Sequence, residues 1–290
     1  MEPNQGISMK QHEEMHHMPV ILQAFMRTCG DLTMKGWAER NAGNVSVRLT
    51  SDELESFGDS IRKSGAGEAW QPLPRPIPEL AGETFLVTGT GRYLRNVPVA
   101  PAENCGLLRL DDAGSRYQLI WGFENGAKPT SELSAHLSAH AVRKRVSDNR
   151  DRVVLHTHPT NLIALCFTRE FDSRSLTRLL WEMHAECIFV FPEGIGYLPW
   201  MMAGSEPIAD ATADLFADRS MVVWEYHGVF ASGADLDDAY GLIDTAEKAA
   251  GIYLAACQAG GIIRKPSDRI LAAIAANFGK TPVSGVLDGE

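Results

Sequence analysis

Apolar residues recur at helical spacing from Val20 to about Lys35, which predicts a first helix. The turn-forming run Asn41-Ala-Gly-Asn44 follows, and then an alternating stretch, Val45–Leu49, that reads as a strand. Residues 51–80 lose this order; they are rich in Ser, Gly and Pro and read as a long surface excursion. Strands are predicted at Thr84–Thr88, running into Gly89-Thr-Gly91, and at Tyr117–Trp121. A helix should begin after Pro129-Thr-Ser-Glu132, whose hydroxyls can cap its start. The apolar run Val153–His158 predicts another strand, with helices near Asn161–Phe167 and Ser175–Glu182 after it. Cys187–Phe191 and Met221–Tyr226 read as strands. Asp235–Gln258 reads as a long helix stopped by Gly260-Gly261, and Ser267–Asn277 as a last helix ending at Gly279.

Strands and helices interleave, so the fold class is α/β, in one domain over residues 18–290 after a polar N-terminal extension, residues 1–17. Several connections are too short to hold crossover helices, which predicts a mixed or mostly antiparallel sheet. At 290 residues, 44% hydrophobic and 22% charged, the chain has the composition of an ordinary globular protein. A formal net charge of −10 argues against a general nucleic-acid or anionic-membrane binder, though not against an anionic small molecule in a local site. No apolar run has the length of a membrane span, and the first residues lack a signal-peptide layout, so the cytoplasm is the expected location. The cysteines Cys29, Cys105, Cys166, Cys187 and Cys257 are scattered without paired spacing and read as reduced thiols.

The histidines carry the chemistry and must be sorted. His12-Glu-Glu-Met-His16 has the letters of a zinc-protease helix, but it sits in the polar extension just before Pro19 and reads as tail. His156 and His158 are two apart at the end of an apolar strand, so their side chains share a face. A bound metal would give that costly pair a purpose. His227 ends another apolar strand, followed by Gly228, which permits a turn or a close approach. Alone it would be a satisfied core histidine; with His156 and His158 it makes a three-imidazole set suited to zinc with an open fourth position. Glu132, His136 and His140 stand at i, i+4 and i+8 and share a helix face. Glu132, in the first turn, is the functional candidate, and the two histidines are read as structural. His184 is read as an ordinary, partly exposed histidine.

An ordered set of motifs resembles the class II aldolase family. They are Lys35-Gly-Trp-Ala-Glu-Arg-Asn-Ala-Gly-Asn44, Val87-Thr-Gly-Thr-Gly-Arg92, Pro129-Thr-Ser-Glu-Leu133, His156-Thr-His-Pro-Thr-Asn-Leu-Ile-Ala-Leu165, Phe191-Pro-Glu-Gly-Ile-Gly196 and Trp224-Glu-Tyr-His-Gly-Val-Phe230, completed by Gly241-Leu-Ile-Asp-Thr-Ala-Glu-Lys248. The resemblance runs from about residue 20 to 285. It implies that the central, largely antiparallel sheet lies between helices. It also implies a homotetrameric, zinc-dependent aldehyde-lyase of L-rhamnose catabolism that reversibly cleaves L-rhamnulose 1-phosphate to dihydroxyacetone phosphate and L-lactaldehyde. Carried over by motif, His156, His158 and His227 are the implied Zn2+ ligands and Glu132 the catalytic acid/base. Asn41, Gly43, Asn44, Thr90, Gly91 and Ser131 match phosphate-binding positions, and Glu186 matches an acidic substrate or supporting position. Without the resemblance, Gly43, Gly89 and Gly91 would read as simple turns.

Ala42, Thr90 and Arg92 depart from the glycine, serine and lysine common in the family, and Pro159 should end the histidine strand. These departures bear on substrate preference. The same zinc site serves other sugar-phosphate aldolases, pentulose-phosphate 4-epimerases and a dehydratase branch, and the fold also occurs as a non-catalytic module of cytoskeletal proteins. Retention of every ligand and the base favours an enzyme.

Overall fold

In the computed structural model, residues 18–64 and 69–287 are described; the polar extension and its His12 and His16 lie outside them. The strands are β1 (Asn44–Arg48), β2 (Gln71–Pro72), β3 (Thr84–Thr88), β4 (Cys105–Leu110), β5 (Arg116–Gly122), β6 (Val153–Thr157), β7 (Gly196–Leu198), β8 (Met221–Trp224) and β9 (Gly228–Gly233). They form one nine-stranded sheet in the order β2-β5-β4-β3-β1-β6-β9-β8-β7. Among the described residues only the β7–β8 pair is parallel; the other pairs are antiparallel. The principal helices are α1 (Val20–Met34), α2 (Leu133–Val146), α3 (Thr160–Cys166), α4 (Ser173–Met183), α5 (Glu206–Leu215), α6 (Leu236–Gln258) and α7 (Asp268–Asn277).

β1, β3, β6 and β9 are buried along their whole length, because helices cover both faces of the sheet. Alternation divides their side chains between two cores. Val45, Val47, Leu155, Val229 and Ala231 face a core shared with α1, α4 and α6. On the other face, Val154, Val222 and Phe230 pack with Ala135 and Ala139 of α2 and Ile208 of α5. α1 buries Leu22, Phe25, Cys29 and Leu32, the stripe its spacing foretells. Its partners α4, α6 and α7 begin at Asp172, Asp235 and Ser267, whose side chains accept N–H bonds from Ser175, Asp238 and Ile270 at 2.7, 2.8 and 3.4 Å.

Two sequence expectations change. Cys187–Phe191 is not a strand: Cys187–Val190 forms a helical turn with Cys187 and Ile188 buried. A five-residue apolar run suits either a buried strand or a buried helix, and β7 takes the place beside β8 instead. The described parts of residues 51–80 (51–64 and 69–80) are more ordered than a surface excursion. Thr50 and Glu53 form a reciprocal cap on the short helix Ser51–Glu55, β2 pairs with β5, and Leu73, Ile77 and Leu80 pack on Phe85 and Val87. β4, β7, β9 and α5 have no counterpart in the sequence reading. As Pro159 demands, β6 stops at Thr157.

Candidate metal and active site

Strand register builds the site. Asn44 of β1 lies opposite His156 of β6, and His156 lies opposite Phe230 of β9. Because alternate residues share a face, Asn44 and His156 project together toward the start of α2. His158 lies just past β6; its backbone N–H and the Thr157 hydroxyl both bond the Trp37 carbonyl, at 2.9 and 2.6 Å, which pins the strand end. His227 sits in the turn between β8 and β9. Gly228 makes that approach possible: a Cβ there would lie 2.5 Å from the Thr157 carbonyl and 2.9 and 3.1 Å from the rings of His158 and His156.

The three imidazoles converge. One ring nitrogen from each of His156, His158 and His227 lies within 4.8 Å of the other two, the spacing of donors around one ion. His156 Nδ1 donates to the Val229 carbonyl at 3.1 Å, and His158 Nδ1 donates to Glu39 Oε1 at 2.7 Å. Both rings are thereby fixed with a bare Nε2, the form a metal needs. Burial, reinforced by His158 and His227, holds His156 well below the usual histidine range. Burial and His158 likewise hold His227 down at about 4. Three convergent imidazoles, two of them with the second ring nitrogen already bonded, suit a divalent metal, and nothing in the donor set opposes one.

Glu132 occupies the N-cap position of α2 rather than its first turn, and its side chain does not cap the helix. Its Oε2 instead accepts from Asn44 Nδ2 at 2.7 Å and stands 3.6 Å from His156 Nε2. Burial raises the Glu132 pKa, opposed by the Asn44 bond and by His158. A desolvated carboxylate beside a metal-competent triad can exchange protons with a bound molecule.

A pocket of about 160 Å³ joins these groups, lined among others by Asn41, Gly43, Asn44, Thr90, Gly91, Ser131, Glu132 and the three histidines. No lysine or arginine lines it among the described residues. Gly43 and Gly91 adopt φ of +77° and +67°, and a Cβ on Gly43 would press to 3.3 Å from the His156 carbonyl. Glycine is therefore required in that turn. Every site residue singled out from the sequence is here except Glu186. That residue is exposed ahead of the 187–190 turn, with its carboxylate 3.8 Å from His184 Nε2.

Some contributors had no signal in the sequence. Glu39 lies inside a quoted motif, yet nothing in that motif ties it to His158. Glu247 reaches from α6 to accept the Asn161 and Leu162 N–H groups, both at 2.8 Å, closing the start of α3 just after the histidine strand. Ser46, equally unannounced, joins the two histidines read as structural, His136 and His140, in a buried polar group behind Asn44.

Against known proteins, the profile described as Class II Aldolase and Adducin N-terminal domain matches residues 23–254. A rhamnulose-1-phosphate aldolase of Yersinia pestis (strain Pestoides F) is 45% identical over 269 residues, covering 92% of this chain and 97% of its own. A solved sugar-phosphate aldolase from Thermotoga maritima superposes with a TM-score of 0.68 at 30% identity, covering 86% of this chain and 99% of that one. The L-fuculose-1-phosphate aldolase of Thermus thermophilus shares the fold, with a TM-score of 0.53, 21% identity, and 84% and 98% coverage. With its nine-stranded mixed sheet and its convergent histidines, this chain belongs to the class II aldolase family.

Proposed function

We propose that the chain is a zinc-dependent rhamnulose-1-phosphate aldolase of L-rhamnose catabolism. It reversibly cleaves the C3–C4 bond of L-rhamnulose 1-phosphate to dihydroxyacetone phosphate and L-lactaldehyde. The observation that carries this is the Glu132 carboxylate standing 3.6 Å from a bare nitrogen of the convergent histidines, in a chain 45% identical to the Yersinia rhamnulose-1-phosphate aldolase.

His156, His158 and His227 would hold the Zn2+. When bound, the ion supplies positive charge that stabilises negative charge developing on the ketose oxygens. Glu132 takes the C4 hydroxyl proton; the C3–C4 electron pair passes to C3 as an enediolate, and lactaldehyde leaves. Glu132 then returns the proton to C3, giving dihydroxyacetone phosphate. Asn44 donates to Glu132 Oε2 and so fixes the carboxylate for both transfers. Asn41, Thr90 and Ser131 line the pocket with neutral donors for the phosphate, and Gly43 and Gly91 let the backbone approach it closely. Glu186 is assigned a supporting acidic role. The remaining parts of the proposal are a homotetramer and a cytoplasmic location; no helix of the described residues is long and apolar enough to cross a membrane.

The test is release of dihydroxyacetone phosphate from L-rhamnulose 1-phosphate by zinc-loaded protein, with L-fuculose 1-phosphate and a pentulose 5-phosphate in parallel. Chelator-sensitive release, fastest from L-rhamnulose 1-phosphate, is expected. Preference for another ketose phosphate, or epimerisation without cleavage, overturns the substrate assignment.

A further inference from the structure

Behind Glu132 a row of polar groups runs through the core. Ser46, His136 and His140 are at most 1% exposed. His136 and His140 are one turn apart on α2, so both rings reach down to Ser46 on β1. Ser46 Oγ lies 2.6 Å from His136 Nδ1 and 2.8 Å from His140 Nε2. His136 Nε2 makes a hydrogen bond with Asn44 Oδ1, and Asn44 Nδ2 reaches Glu132 Oε2 at 2.7 Å. His140 Nδ1, at the far end, is buried without a partner among the described residues, its ring against Phe85 at a centroid distance of 5.0 Å.

These contacts allow one direction of donation. A carboxylate oxygen only accepts, so the Asn44 amide must present N–H to Glu132 and its oxygen to His136. His136 Nε2 therefore carries the proton. Its bare Nδ1 accepts from the Ser46 hydroxyl, and Ser46 Oγ accepts from His140 Nε2–H. The partnerless His140 Nδ1 is then a bare acceptor, less costly to bury than an orphaned N–H. Reversed, the row would strand an N–H at His140 and press the Asn44 oxygen against Glu132 at 2.7 Å, oxygen to oxygen. A structural pair of core histidines needs no such direction; this one ends on the carboxylate.

We propose that Ser46, His136 and His140 are positioning residues for the aldol reaction, a one-way hydrogen-bond chain that locks the Asn44 amide with its N–H on Glu132. The proposal rests on the assignment of Glu132 as the acid/base. Without the chain the amide turns freely, and the carboxylate loses its fixed place relative to the C4 hydroxyl.

The experiment compares His136→Leu with His136→Gln in zinc-loaded protein, because a glutamine amide can restore the donor at the place of Nε2. Expected for His136→Leu is a loss in kcat of about 10- to 100-fold with KM within about twofold and one metal per chain retained; His136→Gln should recover most of it. Equal losses in both variants, or a loss confined to KM, overturn the proposal. Should His136→Leu not fold, Ser46→Ala is read by the same split. Nitrogen NMR of the unaltered protein decides independently of turnover: His136 and His140 must both be Nε2–H tautomers, and an Nδ1–H at His136 overturns the chain. If the unaltered protein leaves L-rhamnulose 1-phosphate intact, the substrate assignment fails while the tautomers still decide the chain.

Discussion

Two sets of histidines lie on the same face of one sheet and are used in opposite ways. His136 and His140 are sealed in the core, where Ser46 and Asn44 take up three of their four ring nitrogens. In the open pocket, His156 and His158 each have Nδ1 bonded and Nε2 bare, turned toward His227. Burial does not separate the sets, for His156 is as buried as His136. Nitrogens left bare beside one another are free to take a metal; nitrogens already engaged serve the scaffold.

The sharpest way to break this contrast is to remove one of the convergent histidines. His227→Ala should reduce bound metal from one per chain to near none and take turnover down by about 10³-fold or more, the worth of several kcal/mol of charge stabilisation. Metal analysis after dialysis checks it, and stoichiometric metal in the variant would remove His227 from the set. Next in size, Glu132→Gln should retain metal and fold but lose about 10²- to 10⁴-fold in kcat, since the amide cannot exchange the C4 proton. Unchanged kcat would place the acid/base elsewhere.

The buried set should reveal itself through pH. Burial holds His136 down at about 3 and His140 well below the histidine range. The unfolded chain protonates both rings below about pH 6.5, whereas the folded chain refuses the proton on His136 down to about pH 3. Their contribution is therefore fully present above pH 6.5 and falls with decreasing pH, by about 1.4 kcal/mol per pH unit for each ring. Urea midpoints between pH 7 and 4 should show a slope that is shallower by that amount in His136→Gln; an identical slope would contradict a neutral buried ring. The smallest effect is expected at Glu39, an exposed carboxylate whose hydrogen bond orients His158. Glu39→Gln should weaken zinc by about tenfold, measured by competition with a chelator.

Legibility from sequence divides along similar lines. The helices α1, α6 and α7 could be read because periodic apolar faces and capping or stopping residues agree locally. Strand β6 and its histidines stood out because a polar pair interrupts an apolar run. Short elements such as β7 and β9 owe their state to neighbours distant in sequence, β8 and β6, which local pattern does not carry, and the 187–190 turn escapes for the same reason. Within the site, the three convergent histidines, Glu132 and the glycine turns were visible as motifs. The bonds that orient them, Glu39 to His158 and Asn44 to Glu132, join residues 119 and 88 apart and could only be seen once the chain was folded.

The most direct measurement is a zinc titration of metal-stripped protein with dihydroxyacetone phosphate release from L-rhamnulose 1-phosphate followed at each step. Release should rise in proportion to added zinc and level off at one ion per chain, with none from His227→Ala. Full release before any metal is added, or a plateau that His227→Ala shares, would contradict a metal held by His156, His158 and His227.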